Sequence, residues 1–88
     1  MDYRKRGEIY LVRLPGQPAD KKTRPALIVS LNVRNHLAND VIVVPISATL
    51  RKAPTHAELL KGEGGLDRPS VAKCEQITTL DNSFVNTQ

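Results

Sequence analysis

Tryptophan is absent from this sequence, and cysteine occurs once, at Cys74. A lone thiol excludes an internal disulfide. No Cys/His cluster has the spacing of a zinc site, so no metal ligands are expected and no cofactor is called for. The aromatic residues are Tyr3, Tyr10 and Phe84. They are too few for the exposed ring platforms on which RRM and OB domains stack bases. No run is long and apolar enough to span a membrane. The basic start, Met1 to Gly7, is not followed by the apolar stretch of a signal peptide. With the single thiol, this points to a reducing, cytoplasmic setting. Internal repeats, low-complexity tracts, a P-loop and a Ser/His/Asp spacing are missing as well.

What is present is short and basic. A chain of 88 residues is enough for one domain, 1–88, with a modest core. With neither disulfide nor metal to help, association into a homodimer is the expected aid to stability. Thirteen Lys and Arg against nine Asp and Glu leave a net charge of +4, which suits a polyanionic partner.

The apolar pattern reads as short strands. Glu8 to Arg13 is rich in β-formers, and Leu14 to Pro18 ends it with two prolines. Gly16 to Arg24 is a polar, basic, mobile loop. Ala26 to Leu31 is apolar at nearly every position and reads as a buried central strand. Asn32 to Asp40 is a connection with room for one helical turn. Val41 to Ile46 is a second buried strand, in which Pro45 implies a bulge or an exposed ladder position. Thr55 to Leu60 fits a strand better than a helix, and Lys61 to Gly65 is a flexible turn. Ser70 to Gln76 alternates, which places Val71, Lys73 and Glu75 on one face and Ala72, Cys74 and Gln76 on the other. Cys74 on that pattern belongs to the core. The sum is a mainly β protein with little helix, a small all-β barrel.

Three segments set polar groups beside a buried strand: Lys21 to Pro25, Pro45 to Thr49, and Lys73 to Gln76. Strand ends hold reactive groups in fixed directions. These residue types suit metal-free cleavage of RNA. The 2′-hydroxyl needs a base, the leaving 5′-oxygen an acid, and the crowded phosphorane positive charge. Glu75 is the candidate base. Lys73 or Arg24 is the candidate acid or charge neutraliser, and a guanidinium is a poor proton donor but a good phosphate clamp. Ser47 can donate to a phosphate oxygen. Lys21, Lys22 and Thr49 are further candidate RNA-binding residues, and His56 could bind or titrate, although a lone strand histidine is more often structural. The same side chains also have plainer readings, as a solvated loop-end charge at Arg24, a surface ion pair between Lys73 and Glu75, and a strand-end hydroxyl at Ser47.

Taken in order, these pieces resemble the MazF/PemK (Kid) family of toxin endoribonucleases. The matching segments are Arg6 to Tyr10, Thr23 to Val29, Asn32 to Asn35, Val43 to Ser47, Pro54 to His56, and Ser70 to Asp81. The resemblance implies an SH3-like barrel of the CcdB/PemK kind, assembled as a homodimer. It implies cleavage of single-stranded RNA at short sequences without a metal, leaving a cyclic phosphate and a 5′-hydroxyl. It also implies a cognate antitoxin with an acidic tail that lies over the RNA groove. The family's arginine falls on Arg24, its hydroxyl residue on Ser47, the late basic and acidic pair on Lys73 and Glu75, and base-reading positions on His56 and Gln76.

The chain also departs from that pattern. Pro18 to Lys22 stands where a Gly-x-Glu-Gln-x-Gly stretch is common, Thr78 where arginine is frequent, and only Asn82 to Gln88 follow Asp81, so the family's C-terminal helix is expected to be missing. Two alternatives remain open at this stage. One is a degenerate paralogue that only binds RNA or antitoxin. The other is a CcdB-like toxin that acts on gyrase by protein contact.

Overall fold

A computed structural model describes residues 3–14 and 23–86. Lys21 and Lys22 lie outside the described residues, as does most of the expected basic loop. The first strand, β1, is Ile9–Val12, and β2 is Arg24–Ile28, so Arg24 opens a strand instead of closing a loop. The connection that follows holds a helix, α1, over Asn32–Leu37. Strand β3 is Asp40–Ser47, β4 is His56–Leu59, β5 is Ser70–Lys73 and β6 is Thr78–Asp81. All the pairings among these strands are antiparallel.

The sheet runs β1-β2-β3-β5-β4, and β6 also pairs with β3. Closure comes from the end of the chain. Val85 bridges to Val12, and the Arg13 amide donates to the Phe84 carbonyl at 2.9 Å. The ring β1, β2, β3, β6 and Val85 encloses Val12, Ala26, Ile28, Val41, Val43 and Leu80, and Tyr10, Leu14 and Phe84 pack against them. Their spacing along each strand is two, the period that sends alternate side chains inward. The mainly β barrel with one short helix is the architecture the sequence pattern implies.

Strand β3 is shared, and Pro45 marks where it changes partner. Val43 is its last partner for β6, opposite Thr78, and Ile46 its first for β5, opposite Ala72. Six residue steps from Ala72 to Thr78 therefore face three steps on β3. The surplus is extruded as a 3₁₀ turn, Cys74–Gln76. Proline has no N–H for a ladder, so the break falls where the ladder is weakest. This corrects the expectation of a continuous strand to Gln76. Cys74, expected in the core, is exposed.

The helix rests on a polar clasp. Asn35 is 2% exposed. Its Nδ2 donates to the carbonyls of Arg4 at 2.8 Å and Ser30 at 3.0 Å, and its Oδ1 accepts from the Ser30 hydroxyl. Leu31, Val33 and Leu37 on and beside this helix remain exposed. No helix among the described residues is long and apolar enough to cross a membrane.

Candidate active site

Strand ends and the extruded turn meet at one surface. Arg24 is the first residue of β2, Ser47 the last of β3, and Lys73 the last of β5. All three line a cavity of about 640 Å³, with Gln76 from the turn. A second depression of about 430 Å³ adjoins it and shares Ser47, Lys73 and Gln76. Glu75, His56 and Thr49 line that second depression. The two form one groove with Ser47, Lys73 and Gln76 along its middle. Arg24 stands on one side of them and Glu75 on the other.

The turn explains who faces whom. In 3₁₀ geometry, residues three apart eclipse. Lys73, which caps the turn, and Gln76 therefore share a direction and reach both depressions. Strand alternation pairs Lys73 with Glu75 instead, and that pairing does not form. Glu75 turns back toward the start of β4. Its Oε1 accepts from Thr55 Oγ1 at 2.7 Å, and its Oε2 lies 3.1 Å from His56 Nε2. The Thr55 hydrogen bond foremost, then a backbone hydrogen bond of the turn and the His56 contacts, hold the Glu75 carboxyl below the usual range. It is ionised over the whole neutral range.

His56 is fixed from both sides. Nδ1 lies 2.8 Å from the Arg51 carbonyl oxygen, and Nε2 faces the Glu75 carboxylate. Both partners are acceptors, so a ring proton on either nitrogen finds one. Its side chain is 8% exposed against 39% for Glu75, so the ring is a packed strut beneath a more open carboxylate. The strut ties the loop after β3 to the turn that carries Gln76.

Ser47 is oriented by its own strand end. Its Oγ accepts the Thr49 amide at 3.1 Å, which leaves its hydroxyl proton to donate outward. Thr49 is thus a neighbour whose backbone orients Ser47, and it lines the groove as well. Sequence reasoning did not single out Thr55, Arg51 or Arg68. Thr55 holds Glu75, and the two arginines lie in the groove walls. They sit in polar loops where charge alone gives no direction. Among the described residues, no three His, Cys, Asp or Glu side chains gather in a way that could hold a metal ion.

Comparison with known proteins bears on the family and the fold. Residues 5–88 match the family described as PemK-like, MazF-like toxin of type II toxin-antitoxin system. Endoribonuclease MazF of Staphylococcus saprophyticus is 39% identical over 83 residues, which cover 90% of this chain and 69% of that protein. Among solved structures, the Mycobacterium tuberculosis toxin MazF-mt6 superposes with a TM-score of 0.74 at 28% identity, covering 92% of this chain and 75% of that one. A mycobacterial endoribonuclease in complex with its cognate antitoxin gives 0.77 at 26% identity, covering 94% and 73%. A family match over nearly the whole chain, joined to the same barrel, places this protein among the PemK-like, MazF-like toxins of type II toxin-antitoxin systems.

Proposed function

We propose that this toxin is an endoribonuclease that cuts single-stranded RNA by attack of the 2′-hydroxyl on the adjacent phosphate, with no step routed through a metal. The observation that carries the proposal is the groove in which Arg24, Ser47 and Lys73 line one cavity and Ser47, Lys73 and Glu75 line its neighbour. Glu75 takes the proton of the 2′-hydroxyl. Each of its oxygens engages a partner and keeps a further lone pair for that proton. The 2′-oxygen bonds to phosphorus, and the bond to the 5′-oxygen breaks. Lys73 returns a proton to the leaving oxygen. Arg24 meets the charge on the phosphorane with a bidentate guanidinium, and Ser47 donates to a phosphate oxygen. The products are a 2′,3′-cyclic phosphate and a 5′-hydroxyl.

Gln76, His56 and Thr49 contact the RNA around that step. Lys21 and Lys22 add charge from the preceding loop. The relatives' names support the substrate class, since one is called an endoribonuclease and another was solved with its antitoxin. A cognate antitoxin with an acidic tail is the fitting inhibitor of so basic a groove. The protein acts as a homodimer in the cytoplasm, where the exposed Cys74 stays reduced. The exposed Leu31, Val33 and Leu37 give the dimer an apolar surface to use.

The test is incubation of the purified protein with single-stranded RNA in EDTA, with product ends read by mass spectrometry. Arg24→Ala is expected to slow cleavage by a factor of about 10²–10³, as loss of one oxyanion donor does, in a protein that remains folded by circular dichroism. Cleavage that needs an added metal, or an undiminished rate in the variant, overturns this mechanism.

A further inference from the structure

The groove does not end at the groups that perform the cleavage. Its first depression is walled on one side by Leu66, Asp67 and Arg68, which belong to the loop between β4 and β5. That loop is built, not loose. Gly62, Gly64 and Gly65 all have positive φ, at 97°, 58° and 86°, a region open to glycine. The Gly62 amide donates to the Leu66 carbonyl at 2.8 Å, and the Leu60 amide donates to Glu63 Oε2 at 3.0 Å. Next in sequence, the hydroxyl of buried Ser70 donates to the Arg68 carbonyl at 3.2 Å. The backbone of Arg68 is thereby anchored, while its side chain is 67% exposed. Its ion pair to Asp67, at 3.6 Å with Asp67 88% exposed, is a weak surface contact that a phosphate can displace.

The second depression has a counterpart. Arg51 lines it, and the Arg51 carbonyl is the acceptor for His56 Nδ1. The backbone of Arg51 is thus held by the strut, and the residue lines both this depression and an adjoining one walled by Leu50, Lys52 and Pro54. Each depression carries more basic than acidic groups. The first has Arg24, Arg68 and Lys73 against Asp67, and the second has Arg51 and Lys73 against Glu75, whose oxygens already hold Thr55 and His56.

We infer that Arg68 and Arg51 bind backbone phosphates on the two sides of the cleaved linkage, so that the RNA runs through both depressions across Ser47, Lys73 and Gln76. This inference rests on the proposed ribonuclease function and extends it to the path of the strand. Phosphate contacts of this kind set register and contribute the salt-dependent part of affinity, with little base preference.

Binding of a fluorescein-labelled single-stranded DNA 12-mer, which lacks the attacking hydroxyl, tests it over a range of salt concentrations. Each arginine that meets a phosphate contributes about 0.7 to the slope of log affinity against log salt on a single strand. Arg68→Gln and Arg51→Gln are each expected to lower the slope by about that amount, and the double variant by about 1.4. Arg68→Lys and Arg51→Lys keep the charge and should retain the slope. Lys61→Gln, an exposed residue outside the groove, should match the parent. Slopes equal to the parent's in both glutamine variants overturn the inference, as does equal loss in Lys61→Gln. A parent protein that leaves single-stranded RNA intact overturns the ribonuclease reading and this path with it. A parent that cleaves, with unchanged slopes in the variants, overturns the path alone.

Discussion

Gly64 carries the loop that brings Arg68 to the groove, and replacing it by alanine has a cost that can be worked out. Its φ is +58°, and an added Cβ would collide with Ile9 Cδ1 and stand 2.8 Å from Ile9 Cγ1. A left-handed alanine costs about 1–2 kcal/mol. Ile9 is 7% exposed in the wall of β1, and forcing its side chain off its rotamer adds about 0.5–1.5 kcal/mol. Stiffening the unfolded chain returns about 0.4–1 kcal/mol. The net loss is about 0.5–3 kcal/mol, or a fall in Tm of about 2–25 °C for a domain of this size. Thermal melts at one fixed protein concentration read it, because an associating chain melts in a concentration-dependent way. Gly62 has φ +97° with nothing within 4 Å, so Gly62→Ala isolates the backbone part. Ile9→Ala in combination with Gly64→Ala removes the collision, and a double-mutant cycle should show a coupling of at least about 0.5 kcal/mol. A Gly64→Ala protein that melts with the parent, or a cycle with no coupling, refutes the packing of this loop on β1.

Glu75 gives a prediction with a definite sign. The Thr55 hydrogen bond is the largest single cause that lowers its carboxyl, so Thr55→Val should raise it, as read by carboxyl NMR titration. The stabilisation from this ionised group is present above the ordinary glutamate range and is lost as pH falls through the lowered folded value. If Glu75 is the base, the acid limb of the rate profile lies below the ordinary glutamate range in the parent and moves up in Thr55→Val. In the barrel, Leu80 is 1% exposed, and Leu80→Ala should cost about 2–5 kcal/mol in urea unfolding. A loss under about 1 kcal/mol would mean that the barrel collapses around the gap.

The strands that form the ring were legible because burial imposes a period on them. Ala26 and Ile28, and Val41 and Val43, face one interior, and apolar runs of strand length announce that directly. The site's members were legible by type and position at strand ends, but not their mutual directions. Alternation through Ser70 to Gln76 remains visible in the letters, yet the partners run out. β4 begins at His56, opposite Lys73, and β3 carries Pro45 where the next pair would fall. Whether a ladder continues is decided by segments far away in sequence, so the turn at Cys74–Gln76, the exposure of Cys74 and the Thr55–Glu75–His56 contacts all escaped local patterning. The same holds for Arg24. A loop of mixed polarity ends in an arginine-proline pair, and only pairing with Val12 shows that the strand already includes it.

Opposite Pro45, three residues stand outside a pairing that resumes on both sides of them. The side chains of Cys74 and Gln76 take no part in the flanking strand pairing or the packed interior, whereas Glu75 holds Thr55 and His56. On the proposed ribonuclease reading, base preference can therefore change through Cys74 and Gln76 while Glu75 is kept, and thermal endurance is inherited from elsewhere in the chain. Directed variation of Cys74 and Gln76, with Glu75 retained, is the economical place to look for altered sequence choice.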